Sequence, residues 1–376
     1  MKSKILNLKS IKFKETLNNE LFWENKKLLV DNFNLIIGPN ASGKSSLFNR
    51  IKFLKKVHNK KRETPQIITV AAFELEFNDC INSEVISYKL TISPNQEITE
   101  IIKNNTKNIE LFSTKKKQFY NEKLNQHEER LIPKKISVTK LVDDYQSLYP
   151  TIYSIGKYIS NIQFLQADQI DLKEVISING NGPIPDSKLK NLGAVVLNWK
   201  KNNSDLYDEL FSLFIQYFPF VEEFVEIQRE NLPFPILGIK EKEVDGEILY
   251  VEMSLGMLRI LGILTFAISR HPNSGSIPSL IVIDEVDNGL DYNNIGKIVE
   301  FIKDNSEDTQ YLLSSHSPVI CNFVPPKHWR IFSRNNVTVN VKVPTENKNT
   351  NELIQTNKMS NWDIYKNHIS KSNDYK

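Results

Sequence analysis

Eight consecutive residues, Gly38-Pro39-Asn40-Ala41-Ser42-Gly43-Lys44-Ser45, constrain this chain more than any bulk property. They fit the pattern G-x-x-x-x-G-K-[S/T] without mismatch. The apolar run NLII precedes them and an amphipathic stretch, 45–56, follows, so the segment reads strand, loop, helix. The two glycines let backbone N–H groups turn inward, and a helix N-terminus adds the positive end of its dipole. Lys44 contributes a point charge and Ser45 a hydroxyl suited to Mg²⁺, with Ser46 beside it. This is the chemistry of a loop that cradles phosphate oxygens.

A second segment complements it. Leu280-Ile281-Val282-Ile283 is a continuous apolar run, as in a parallel strand buried on both faces, and it ends in Asp284-Glu285. Two carboxylates at a buried strand end need a charge partner. A nucleotide-bound Mg²⁺ is such a partner: Asp284 would hold the metal through water, and Glu285 would orient or deprotonate an attacking water.

Around these motifs the chain alternates in character. ILNLKSIKF and KLLVDNFNLIIG read as strands, and 66–102 as three antiparallel strands with polar turns. From about 103 to 160 the sequence is rich in Lys, Asn, Gln, Glu and Tyr, and its spacing predicts helices over 115–130 and 138–159. Another helical stretch, 187–218, carries an apolar face from Leu189 to Phe218. Its aromatic residues, Trp199, Tyr207, Phe211, Phe214, Tyr217 and Phe218, exceed what one helix needs for its own packing; either all of them are core, or they offer a docking surface for an effector. Pro233, Pro235 and Gly238 mark a return to strands. The last third is again α/β: helix 254–269, strand 279–285, helix 293–305, strand 310–317 and a final strand pair over 329–343. The tail from about 345 is polar and expected to be loose at its end. The predicted division is therefore a split head, 1–105 with 236–345, a helical insertion, 106–235, and a tail, 346–376.

Composition excludes several classes. With 40% apolar, 25% charged and 10% aromatic residues the chain is neither disordered nor fibrous. Lys and Arg (48) exceed Asp and Glu (45) by only 3, too little to indicate nucleic-acid binding by itself. Cys80 and Cys321 stand far apart, which argues against a zinc site or a disulfide framework and suits a reducing cytoplasm. No signal-peptide pattern and no membrane-length apolar run is visible, so a cytoplasmic protein without membrane contact is expected.

Four weaker motifs follow in order. Ser254-Leu255-Gly256 opens a helix carrying Arg259. Asn288-Gly289-Leu290-Asp291 follows the carboxylates. Ser314-Ser315-His316-Ser317-Pro318 follows the next strand, and Gln166 lies in NIQFLQADQID with Gln163 and Gln169 as rivals. The ordered set resembles the ABC-type AAA ATPase heads of the SMC, RecF and OLD-like branch, most of all the stand-alone ATPases of bacterial antiphage or toxin–antitoxin operons. The resemblance implies a P-loop NTPase fold of the α/β class, with an antiparallel β subdomain and a helical insertion. It also implies that ATP and Mg²⁺ bind. Ser254, Gly256 and Arg259 then look like the signature that meets the γ-phosphate of an opposite protomer. Asp291 closes a D-loop-like turn, His316 resembles a γ-phosphate-sensing switch, and Gln166 resembles the Q-loop metal ligand.

The expected function is an ATP-hydrolysing switch. It would dimerise, or form a higher even oligomer, around two ATP molecules and control a separate effector such as a nuclease in antiphage defence. Only 58 residues follow Pro318, without a D-x-D pair or a compact nuclease cluster, so the effector is expected on another chain. Two alternatives stand beside it. One is a RecF-like clamp on duplex DNA, suggested by basic runs at Lys52, Lys55, Lys56, Lys60, Lys61 and Arg62 and at Lys115–Lys117. The other is a slowly hydrolysing, nucleotide-dependent scaffold.

Overall fold

The computed structural model describes residues 6–59, 67–130, 133–141, 146–175, 184–230, 232–270, 278–356 and 359–369. The chain divides into two compact units. The first comprises Met1–Ile162, Ser279–Val282 and Ser306–Lys376, and the second Gln163–Pro278 and Ile283–Asn305.

The first unit is built on one mixed sheet. From Leu280–Ile283, whose last residue falls in the second unit, the order continues through Gln310–Ser314, Phe33–Ile37, Trp329–Asn335, Thr338–Lys342, Glu20–Leu29 and Leu6–Leu17. It then runs through Val70–Asp79, Val85–Ile92, Ile98–Asn104, Ile109–Ser113, Gln118–Asn121 and Gln126–Glu129. Phe33–Ile37, five residues all buried, lies between two parallel neighbours. That position explains its uninterrupted apolar sequence, since a strand covered on both faces has no polar side. The helix Lys44–Asn59 that follows buries Leu47, Phe48, Ile51, Leu54, Val57 and His58 on one face. Toward the far edge the sheet becomes antiparallel and alternates buried with exposed residues.

The second unit is mainly helical. Leu192–Asn202 and Ser204–Tyr217 accompany Leu255–Ile268, which is buried on nearly all sides. Its apolar run reflects that burial: Gly262 leaves no room for a Cβ, which would sit 2.3 Å from Leu189 Cδ1. A small antiparallel sheet joins Val221–Ile227, Ile236–Glu241 and Glu247–Leu249.

The three strands predicted over 66–102 are present. The helix predicted over 115–130 is not. That segment forms the strands Gln118–Asn121 and Gln126–Glu129, and Ile109–Ser113 precedes them. Lys117 and Asn125 adopt left-handed backbone at the two turns. Phe119 packs its ring on Phe112 and Tyr149, 4.8 and 5.1 Å away. Tertiary pairing overrides the helix propensity of a Lys- and Glu-rich stretch. Over 138–159 the described helices are Val138–Leu141 and Pro150–Ser160. The stretch 187–218 breaks into two helices at Asn203, whose side chain accepts the Leu206 N–H.

The tail is helical over Lys348–Gln355 and Asn361–Ile369. Its last helix is docked: Asn361 Nδ2 donates to the Cys321 carbonyl at 2.8 Å, and Ile364 is buried. The chain end predicted to be loose, and Lys60, Lys61 and Arg62 of the basic run, lie outside the described residues. Among the described residues no helix is long and apolar enough to cross a membrane.

Candidate nucleotide-binding site

In the first unit the phosphate loop leaves the buried strand Phe33–Ile37 and turns sharply into the helix. Ala41 (φ +60°) and Gly43 (φ +101°) take left-handed backbone, and Lys44 Nζ donates to the carbonyls of Gly38 (2.6 Å) and Pro39 (3.1 Å). Ser42 is buried and its Oγ has no hydrogen-bond partner among the described residues. Pro39 is half-buried, while Asn40, Ala41 and Ser45 are exposed and Ser46 is half-buried at the start of the helix. Glycine is required by contact as well as by conformation. A Cβ on Gly43 would meet Val339 Cγ2 at 2.5 Å and Trp23 at 3.5 Å, and one on Gly38 would meet the Phe332 carbonyl at 2.4 Å. A curled loop with a buried lysine, an orphaned hydroxyl and a helix N-terminus suits a polyphosphate anion.

The same unit aligns the strand that leads to His316. Ser314 is in register with Ile36, and Ser315 N–H donates to the Ile36 carbonyl at 3.1 Å. His316 is the exposed residue immediately beyond, and Ser317 caps the short 3₁₀ turn Pro318–Asn322.

The second unit gathers the remaining motif residues. Ser254 is the N-cap of Leu255–Ile268, its Oγ accepting the Met257 N–H at 3.2 Å. Gly256 faces the Asn288–Asp291 turn, where a Cβ would lie 3.0 Å from the Gly289 carbonyl. Asp291 caps Tyr292–Asp304 by accepting the N–H groups of Asn293 and Asn294. Asp284 N–H donates to the Leu165 carbonyl, and Gln166 N–H to the Ser187 carbonyl. Gln163 lies within the strand Ile162–Leu165, and Gln169 starts the short helix Gln169–Leu172.

Arg259 lies on the same helix, one turn in from Ser254. Its guanidinium is buried, and it donates to the carbonyls of Ala167 (3.0 Å), Asp284 (2.8 Å) and Glu285 (2.7 Å). Burial pulls its pKa down to about 10, opposed by Asp287, Glu285 and Asp284. The guanidinium therefore ties the segment at Ala167 to the Asp284–Glu285 turn. Glu285 itself has φ +48°, a left-handed conformation that costs a glutamate on the order of 1–3 kcal/mol. Arg259 and the Asn288 N–H, which donates to the Glu285 carbonyl at 3.0 Å, hold it there.

Sequence reading missed Trp23, Val339 and Phe332, the residues that back the two loop glycines. No spacing rule ties them to the loop; strand order alone brings them there. Of the two readings of the aromatic run at 199–218, the structure favours the core. Trp199, Phe214, Tyr217 and Phe218 are buried, and Tyr207 and Phe211, half-buried, stack on each other and meet Phe224 edge-on. These rings make a local core. In the basic runs, Lys55 donates to the Ile162 carbonyl and Lys116 pairs with Glu110 at 2.8 Å.

Fold and motifs together define an ABC-type P-loop NTPase head. The solved SMC head bound to the C-winged helix domain of ScpA superimposes with a TM-score of 0.54 at 14% identity, covering 89% of this chain and 97% of that one. The Pyrococcus furiosus Smc head, with an extended coiled coil and bound to the C-terminal domain of ScpA, gives 0.53 at 14% identity over 94% and 100%. The family described as AAA domain, putative AbiEii toxin, Type IV TA system, matches residues 33–322, from the phosphate-loop strand to beyond His316. The chain belongs to this family. No curated protein sequence matches it.

Proposed function

We propose that this ABC-type ATPase-family chain binds and hydrolyses ATP and works as a nucleotide-driven switch. The observation that carries the reading is the phosphate loop. Its lysine is curled onto its own carbonyls and its buried Ser42 hydroxyl is unpartnered, in a chain of an AAA family. In this proposal the backbone N–H groups of the loop from Gly38 to Gly43, Pro39 having none, and the Lys44 charge hold the phosphates, with Ser46 beside them. Ser45, Asp284 and Gln166 would hold Mg²⁺, which would supply charge neutralisation at the transferred phosphoryl group. Glu285 accepts the proton of the attacking water, and His316 reads the γ-phosphate. Ser254 and Gly256, at a capped helix N-terminus, serve the site of a second protomer, and Asp291 fixes the turn beside them. Arg259 acts indirectly, by fixing the Glu285 turn.

The functional division 1–105 with 236–345, 106–235 and 346–376 is part of the same proposal. So are a cytoplasmic location and a homodimer, or higher even oligomer, that closes on two ATP molecules and governs a separate effector, a nuclease in antiphage defence. The toxin–antitoxin description of the family supports that setting. Ser254→Arg should spare ATP binding by the protomer and abolish ATP-dependent dimerisation in sedimentation. Full ATPase activity of Ser254→Arg at low protein concentration would mean that each site is self-contained. Binding to duplex DNA that weakens steeply with salt would favour the clamp reading instead.

A further inference from the structure

Away from every motif, a chain of polar groups is sealed in the first unit. His58, in the last turn of the phosphate-loop helix, places Nδ1 2.9 Å from the Leu54 carbonyl and Nε2 3.0 Å from the Tyr88 hydroxyl. Tyr88 lies 2.6 Å from Glu100 Oε1, which also accepts the Ser137 hydroxyl, while Glu100 Oε2 accepts the Val138 N–H at 2.7 Å. All three side chains are buried.

Counting donors settles the protonation. A carbonyl only accepts, so Nδ1 carries a hydrogen. Between Nε2 and Glu100 Oε1 there are two hydrogen bonds, and Tyr88 has one hydrogen to give. If Tyr88 donates to an ionised Glu100, Nε2 must donate and His58 is an imidazolium. If Tyr88 donates to Nε2, Glu100 must donate and is a neutral acid. Both arrangements hold one proton more than a neutral histidine beside an ionised glutamate. Without that proton, two acceptors face each other in a site closed to water.

We propose that His58, Tyr88 and Glu100 form a proton-holding latch, with the shared proton on the Glu100 carboxyl, that ties the phosphate-loop helix to the antiparallel part of the sheet. Burial pushes His58 down to about 4 and raises Glu100, so both favour the uncharged pair. Lys140, from the helix Val138–Leu141, also disfavours an imidazolium. The neighbouring titratable groups are engaged elsewhere. Lys157 lies over the Tyr153 ring, Tyr158 donates to Gln310, Glu74 pairs with Lys89 and Lys103 with Glu110.

The latch gives the fold a pH dependence unrelated to nucleotide chemistry. Above about pH 6.5 the unfolded chain has neutral histidine and ionised glutamate, and the native chain holds one more proton. Each further pH unit therefore raises the unfolding equilibrium constant by about tenfold, until the native acid ionises. Below about pH 4.5 the unfolded chain binds both protons and the trend reverses.

Glu100→Gln is the direct test, because its amide can donate to Tyr88 without a titrating proton. Urea unfolding of the full chain between pH 6.5 and 8.5 should show the tenfold-per-unit trend in the wild type relative to Glu100→Gln. Parallel profiles would overturn the latch. Infrared spectroscopy of the wild type at pH 8 does not depend on the variant folding. A buried protonated-carboxyl C=O band is expected, and its absence would equally overturn the proposal.

Discussion

The two units hold their motif residues in opposite ways. In the first unit the phosphate loop is shaped by backbone: two glycines pressed against Phe332 and Val339, and a lysine folded onto the carbonyls of its own loop. In the second unit the carboxylate turn is shaped by one side chain. Arg259 reaches from the helix Leu255–Ile268 to three carbonyls, and Glu285 sits in a left-handed conformation beneath it. A backbone-built site tolerates changes around it so long as its glycines remain. A site held by one buried guanidinium depends on a residue that need never touch the nucleotide.

The largest expected effect falls on the carboxylate turn. Glu285→Gln keeps the shape of the side chain and removes the base, so single-turnover ATP hydrolysis should slow on the order of 10²–10⁴-fold while ATP binding persists. Turnover within a few-fold of wild type would take Glu285 out of the chemistry. Lys44→Ala acts on the other side of the comparison. Loss of the lysine charge should weaken ATP binding by about 2–5 kcal/mol, read by calorimetric titration, with the circular dichroism spectrum unchanged. An unaltered titration would refute the phosphate-loop assignment.

Arg259→Met sharpens the contrast. It leaves the carbonyls of Ala167, Asp284 and Glu285 without their donor, at about 1–3 kcal/mol for each one that stays buried and unsatisfied. Denaturant unfolding should show that loss, and hydrolysis should slow while the ATP affinity set by the phosphate loop changes little. A variant with normal stability and weakened ATP binding would make Arg259 a direct contact. The smallest effect is at the tail. Asn361→Ala removes the bond to the Cys321 carbonyl and should lower stability by about 0.5–1.5 kcal/mol. Hydrogen exchange should show faster opening of the Pro318–Asn322 turn, and unchanged exchange there would mean that this bond does not hold the tail helix.

The sequence by itself determined the parts whose chemistry is local. A loop that wraps phosphate needs glycines, a lysine and a helix start within eight residues, so Gly38 to Ser45 is legible without neighbours. Continuous apolar strands announce burial on both faces, and the early antiparallel group follows from simple alternation. Tertiary structure decided what depends on partners far along the chain. Residues 118–121 and 126–129 are strands because Phe119 has Phe112 and Tyr149 to pack on, whatever their helix propensity. The aromatic run near 199–218 is a core because Phe224 closes it. Arg259 became a clamp because its helix is buried, where a guanidinium must find carbonyls. Burial and pairing are properties of the whole fold, and a residue type records only its capacity for them.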